Sequence, residues 1–224
     1  MTAAVAVHEE RDPELPGRLL RTERDALLPL LRERPENDFA LRTCCPGWTV
    51  RHVLAHCSSA LMRVVENRYE EGVFTPEGND RDIAERADWP LARILDELEQ
   101  GMTEAGPVVA ASDGAMDIIA LGEWIHAGDV REAFGEPGAY AGAGLPAALR
   151  LLGRSSRERK HVPLHADLDD HDEPLLLGEP TGERPPARYL GDAATLVRLY
   201  AGRPLTGTRY ELVGAREAEL FIFG

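Results

Sequence analysis

The stretch that decides the fold of this chain runs from Gly122 to Glu132 and reads GEWIHAGDVRE. On a helix, Glu123 falls inside an apolar stripe and His126 lies one turn further on, at the edge of that stripe. A buried carboxylate is costly unless something pairs with it, and a metal ion shared with His126 would be such a partner. The stretch therefore predicts an enclosed helix that carries two metal ligands. The stripe consists of Met116, Ile119, Ala120, Ala127, Val130 and Phe134.

Long segments in the first two thirds of the chain have the apolar periodicity of amphipathic helices. We predict these helices at about 15–34, 49–69, 88–109 and 115–134, with a shorter helix at 146–157. Thr49 and Asp88 stand where a side chain can accept a free N–H of the first turn. Residues 70–86 are rich in Gly, Asn, Asp and Glu and are interpreted as a loop, and residues 1–12 as a loose polar segment. The four long helices predict a four-helix bundle.

The pattern changes near residue 158, where short apolar runs replace the long helices. We predict strands at 162–168, 174–177, 187–190, 210–213 and 220–223, and a helix at 193–201 that Asp192 caps. The expected fold class is α+β. The expected domains are a metal-binding helical bundle over residues 1–158 and a small α/β domain over residues 159–224.

Composition narrows the function classes. The formal net charge of -14 argues against nucleic acid or an anionic membrane surface as a partner. No apolar run approaches the roughly 20 residues that span a bilayer, and the first residues do not have the pattern of a signal peptide. The three cysteines form an odd set without zinc-ribbon spacing, which favours a reducing cytoplasm.

Three side chains on two predicted helices form a candidate metal site. His56 lies at the flank of the core stripe of the second helix, and Glu123 and His126 lie on the fourth. Three protein ligands with an open fourth position are typical of catalytic zinc, and bundle cores often house such sites. A di-iron site would need a second Glu-x-x-His motif, which the sequence lacks, so a mononuclear site is preferred.

Neighbouring polar residues receive other interpretations. His52 precedes His56 by one turn but falls nearly opposite the core stripe, so we interpret it as solvated. Asp129 follows His126 by three residues, where it could orient a ligand histidine, serve as an alternative ligand or pair with Arg131. Cys57 lies on an apolar stripe and is interpreted as core filler.

Three stretches together resemble the mycothiol-dependent maleylpyruvate isomerase-like family. They are CPGWTVRHVLAH at 45–56, residues 122–131, and residues 191–204 with GDAATL and GRP. The resemblance covers nearly the whole chain in the expected order. It implies a DinB-like four-helix bundle followed by a small α/β C-terminal domain, with metal ligands at His56, Glu123 and His126. The family usually has an acidic residue where this chain has His52. Its glutamate ligand commonly stands four residues before the histidine, where this chain has Gly122.

The resemblance also implies a chemistry. Mycothiol would be the cosubstrate, and a divalent metal, with Zn²⁺ expected, would bind its sulfur and favour the thiolate, since a free thiol has a pKa near ~8.5. The thiolate would attack an electrophilic small molecule, with S-transfer or cis–trans isomerisation as the outcome. The family places a functional arginine in the C-terminal domain, for which Arg203 is the first candidate and Arg198 and Arg188 are alternatives.

Two other functions remain open at the level of sequence. The first is a metal-dependent hydrolase on the same bundle, with metal-bound water as the nucleophile. The second is a non-catalytic ligand-binding or stress-response bundle that has lost its metal, which the shifted position of Glu123 favours. The isomerase, the transferase and the hydrolase all require a metal, whereas the non-catalytic protein does not.

Overall fold

The computed structural model describes residues 10–180, 182 and 184–223, so most of the predicted loose segment, residues 1–9, lies outside the described residues. The predicted α+β class is confirmed. Two short 3-10 helices cover 36–40 and 217–219. The helices are α1 (Leu15–Glu33), α2 (Val50–Val65), α3 (Pro76–Glu85), α4 (Leu91–Ala111), α5 (Asp117–Ala133), α6 (Leu145–Glu158) and α7 (Ala193–Tyr200). The strands are β1 (Leu164–Leu168), β2 (Leu175–Leu177), β3 (Ala187–Gly191) and β4 (Tyr210–Val213).

The four long helices pack as a bundle. Helix α4 packs on α1 and α2, and α5 packs on the same two helices. Their leucines supply the core, and fully burying each one stabilises the fold by roughly 1.5–3 kcal/mol. Helix α5 is enclosed as predicted, since Trp124 and Ile125 are buried together with Glu123 and Asp129. Two carboxylates in such a position require specific partners.

The sheet has the strand order β2-β1-β3-β4. Strands β1 and β3 are parallel, with Leu164 opposite Ala187, and the two outer pairs are antiparallel. Alternate side chains of β1 and β3 point into the core, and α6 packs on β2 and α7. One continuous apolar core joins the bundle to the sheet. The division into domains at residues 158 and 159 stays a prediction.

The predicted loop at 70–86 is wrong in its second half, where α3 forms. Thr75 caps this helix, because its hydroxyl accepts from the Gly78 N–H, and Pro76 fits the first turn. The buried ion pair between Arg63 of α2 and Asp82 of α3 fixes the helix to the bundle. Polar contacts hold α3, so apolar periodicity did not reveal it.

The predicted strand at 220–223 is also wrong. Leu220 and Ile222 are buried in alternation, but the Ile222 N–H donates to the Tyr200 carbonyl at the end of α7, and Phe223 lies against α5. A period of two indicates which side chains are buried, and here helices rather than a sheet bury them.

The three predicted helix caps have different outcomes. The Thr49 hydroxyl accepts from the His52 N–H, and the Asp192 carboxylate accepts from the Thr195 N–H, so both of these caps are confirmed. The Asp88 cap is wrong, because α4 begins at Leu91 after Pro90. No helix among the described residues is both long enough and apolar enough to cross a membrane.

Candidate active site

Two histidines from different helices meet beside a tryptophan. The rings of His56 on α2 and His126 on α5 lie edge to face with their centroids 5.2 Å apart. The Trp48 ring lies 5.1 Å from His56 and 6.2 Å from His126. Trp48 stands directly before the Thr49 cap, so the start of α2 fixes its position. The structure therefore brings together the two histidines that the sequence proposed as ligands.

His56 is buried and keeps a free ring nitrogen. Its Nδ1 has no hydrogen-bond partner among the described residues, although the atom is inaccessible to solvent. Burial and the neighbouring His126 lower the pKa of His56 to about 3, against an opposing effect of Asp82. The ring is therefore neutral near pH 7, and the neutral imidazole is the form that binds metals.

His126 is held from its other side by Asp129. The His126 Nδ1 lies 2.9 Å from the Asp129 Oδ2, one turn further along α5. A carboxylate at Nδ1 fixes the ring orientation and the tautomer, which leaves Nε2 as the second nitrogen of the ring. Metal-binding histidines commonly have this arrangement.

The Asp129 carboxylate is the centre of a buried polar cluster and is fully inaccessible to solvent. Burial alone would raise its pKa, but hydrogen bonds and charge from His126 and Arg203 outweigh burial and hold the pKa well below its usual range. Its oxygens accept from Arg203 Nε at 2.8 Å and Nη2 at 2.7 Å, Tyr140 Oη at 2.6 Å, His126 Nδ1 at 2.9 Å, Cys44 Sγ at 3.1 Å and Cys45 Sγ at 3.2 Å.

Arg203 reaches this cluster from the loop after α7. Besides its two bonds to Asp129, its Nη1 donates to the Ala201 carbonyl. Burial lowers the pKa of Arg203, but the Asp129 carboxylate raises it by more, so the net pKa is raised and the guanidinium stays charged. Of the alternatives, Arg198 pairs with Glu132 and lies over the Tyr140 ring, and Arg188 pairs with Asp167 at the surface. The C-terminal part of the chain thus supplies the cation that Asp129 requires.

Glu123 faces the interior of the bundle. Its Oε2 is buried without a hydrogen-bond partner among the described residues. Burial raises the pKa of Glu123 to about 8, and the Cys57 thiol opposes this effect by hydrogen bonding. Both side chains line a small internal cavity, together with His126 and apolar residues of α1, α2 and α4. In this environment the carboxyl group is mainly protonated at pH 7.

The ligand atoms of the three predicted ligands, His56, Glu123 and His126, do not all lie close to one another. Cys44, Cys45 and Asp129 form a group whose ligand atoms all lie within 4.8 Å of one another. Among the described residues, this is the group of three histidine, cysteine or carboxylate side chains that meets this distance. The combination of Glu123 with the two histidines does not meet that distance, so the ligand set stays a prediction. His52 caps α2, since its Nδ1 accepts from the Thr49 N–H.

Sequence reasoning missed the thiols and the tyrosine of the Asp129 cluster. The available signal for Cys44 and Cys45 was their adjacency, directly before the Pro-Gly-Trp turn that leads into α2. Hydrogen bonding with the Cys44 thiol, burial and the Asp129 charge raise the pKa of Cys45, while the hydrogen bond with Cys45 lowers the pKa of Cys44. Tyr140 lies in the loop between α5 and α6, and no sequence pattern pointed to it.

Comparisons with known proteins agree with the resemblance seen in the sequence. Residues 20–117 match the model of the mycothiol maleylpyruvate isomerase N-terminal domain family. A crystal structure of the mycothiol-dependent maleylpyruvate isomerase matches with a TM-score of 0.54 and 16% identity, over 90% of this chain and 93% of that one. A histidine-to-alanine mutant of that enzyme gives a TM-score of 0.55 with the same identity and coverage. No curated protein sequence matches the chain.

The matched segment contains α2 and most of α1, and the structural likeness extends across the sheet. At 16% identity this likeness shows the fold, which is the DinB-like bundle with a small α/β part that the sequence predicted. The family match and the shared fold confirm the suspected relationship: residues 20–117 belong to the mycothiol maleylpyruvate isomerase N-terminal domain family.

Proposed function

We propose that this protein is a mycothiol-dependent metalloenzyme, which uses a metal-activated thiol to attack an electrophilic small molecule by S-transfer or cis–trans isomerisation. One observation carries the proposal: the imidazoles of the buried His56 on α2 and the part-buried His126 on α5 lie 5.2 Å apart, and His56 retains an unpartnered nitrogen. The family match supports the thiol as cosubstrate. The cytoplasm remains the proposed location, since the sequence favours a reducing compartment.

The residues present fit a divalent cation. His56 and His126 would hold it through neutral ring nitrogens, and Glu123 would supply the third ligand. The unpartnered Glu123 Oε2 is a buried group that a cation would satisfy. A bound Zn²⁺ would lower the pKa of a coordinated thiol and so provide a nucleophile at neutral pH.

The protein's own side chains keep this site in position. Asp129 fixes His126, and Arg203 and Tyr140 in turn fix Asp129. The Trp48 ring lies beside both imidazoles and supplies an apolar wall to the site. Arg203 has three nitrogens committed to Asp129 and Ala201, so we assign it a positioning role beside any direct contact with substrate.

The first test is the metal content of untagged protein, with the variants His56→Ala and His52→Ala. Wild type is expected to hold one divalent ion per chain at the histidine site, and His56→Ala is expected to hold one ion fewer than wild type. His52→Ala is the matched control, because His52 lies one turn away on the same helix and bonds the cap instead.

Turnover provides the second readout, with mycothiol as the thiol and maleylpyruvate as the electrophile. Loss of mycothiol-dependent turnover in His56→Ala, but not in His52→Ala, would support the proposal. Wild type without metal after incubation with zinc would overturn it and favour the non-catalytic bundle. Turnover of ester or amide substrates without any thiol would instead favour the hydrolase.

A further inference from the structure

We propose that Cys44 and Cys45, together with the Asp129 carboxylate, form a second metal site that takes one thiophilic divalent cation such as Zn²⁺ or Cd²⁺. The two sulfur atoms and a carboxylate oxygen lie within 4.8 Å of one another. Cys44 is half-buried and gives access from solvent, and Cys45 is buried. The cysteines lie in the loop before α2 and the carboxylate lies on α5, so folding assembles the site.

The hydrogen bonding of Asp129 indicates why the thiol protons can be replaced. A carboxylate offers about four lone-pair positions. Arg203 uses two of them, and Tyr140 and His126 use one each, all at 2.6–2.9 Å. The two thiols are surplus donors at 3.1 and 3.2 Å. Asp129 therefore stays fully hydrogen-bonded when these protons leave. The Cys44 thiol, burial and the Asp129 charge raise the pKa of Cys45, so the bound cation has to supply the free energy that removes the protons.

The exchange balances in atoms and charge. One divalent cation binds two thiolates, and the two thiol protons leave to solvent. The protonated cluster is neutral, because Asp129 and Arg203 cancel, and the metal-bound cluster is neutral too, because the cation offsets the two thiolates. Tyr140 Oη lies 3.7 Å from the Cys44 Sγ, so it can donate to that thiolate and free an Asp129 oxygen for the cation. No buried net charge results.

The ligand set determines which cations fit. Thiolates select zinc and cadmium over magnesium and calcium, which prefer oxygen ligands. The sulfurs lie on the Nδ1 side of His126, since the Cys45 Sγ is 3.8 Å from that nitrogen. The histidine site proposed above would use the other nitrogen of the ring. The two sites are therefore neighbours with different ligands, and either can exist without the other.

The test is a titration of metal-free full-length protein with Cd²⁺, followed by the ultraviolet sulfur-to-cadmium charge-transfer band. We expect the band to saturate at one ion per chain in wild type. In the double variant Cys44→Ser/Cys45→Ser, the Cd²⁺ affinity should fall by more than the roughly 10–100-fold that residues outside the ligand set usually cost. Cys57→Ser is the matched control and should keep the band, because the Cys57 thiol on α2 hydrogen-bonds Glu123 of α5 and not the Asp129 cluster.

His56→Ala should also keep the band, so this proposal and the proposed function can fail separately. Cadmium NMR of wild type gives a readout that needs no variant, since its chemical shift reports the number of sulfur ligands. A two-sulfur shift supports the site. A cadmium spectrum without any sulfur-ligated signal, a wild type without the band, or a band that survives in the double variant would overturn it, whereas a second signal without sulfur would belong to the histidine site.

Discussion

Glu123 is the residue whose burial has the clearest consequence for pH. The pKa of its carboxyl group is about 8 in the folded protein and near 4.5 in the unfolded chain. The folded state therefore binds more protons than the unfolded state between these values, and stability falls as pH rises through this range. His56 has the opposite effect below pH 6.5, because its pKa is lowered to about 3.

In the window from pH 6.5 to 8 the effect of Glu123 therefore outweighs the opposite effect of His56. In metal-free protein, we expect the free energy of unfolding to fall by about 2 kcal/mol across this window, at 1.36 kcal/mol per pKa unit. Urea unfolding at several pH values measures it. Glu123→Gln should abolish the slope, whereas Glu33→Gln at the exposed end of α1 should keep it. An unchanged slope in Glu123→Gln would show that another group titrates.

Asp129 is the residue whose loss should cost most stability. Asp129→Asn leaves the part-buried Arg203 guanidinium without a counter-charge, and breaking a buried pair in this way costs up to about 3–5 kcal/mol. Asp167→Asn is the matched control, because its partner Arg188 has a side chain that is 64% exposed, and such pairs are worth about 1 kcal/mol or less. Denaturant unfolding of both variants makes the comparison. Equal losses of stability in the two variants would mean that the Asp129–Arg203 ion pair contributes no more stability than a surface ion pair.

Helix α5 contains two glycines with different surroundings. A Cβ on Gly128 would lie 2.4 Å from Cδ1 of the Tyr140 ring, whereas a Cβ on Gly122 would lie 3.5 Å from the nearest atom, in Phe223. The Tyr140 ring has little room to yield, because its hydroxyl bonds Asp129 and Arg198 lies over its face. Gly128 therefore permits the close approach of the Tyr140 loop to the site.

We expect Gly128→Ala to destabilise the protein by about 1–3 kcal/mol through overpacking. Gly122→Ala should be neutral or stabilising by up to about 1 kcal/mol, since alanine favours the helix. Thermal unfolding of the two variants tests this difference within one helix. Equal stability would mean that the loop with Tyr140 moves away without cost.

At the scale of the whole molecule, the apolar core passes from the bundle into the sheet. Arg203 crosses the same boundary to reach Asp129. A chain ending at residue 160 would lack β2 and α7, on which α6 packs, and would also lack Arg203. The predicted domain boundary at 158 and 159 can thus be tested by truncation.

We expect residues 1–160 alone to unfold at lower urea concentration than the full chain and to bind a hydrophobic dye. The full chain is expected to unfold in a single transition. Equal midpoints and no dye binding would show instead that the bundle is an independent domain.

Much of the fold was predictable because its signals are local. Helix periodicity, the Thr49 cap and the Asp192 cap each depend on residues within a few positions of one another. Helix α3 and the 220–223 segment were mispredicted, because α3 depends on the ion pair between Arg63 and Asp82 and the final segment docks on helices rather than on a strand.

The sequence by itself determined the α+β class, the enclosed helix α5 and the pairing of His56 with His126 as the candidate histidines. Only the tertiary structure decided which partners meet at Asp129, because Cys44 lies 85 residues and Arg203 lies 74 residues away along the chain. Local patterns report which face of an element is buried. They do not report which distant side chains share that buried space, since packing of the complete chain fixes those contacts.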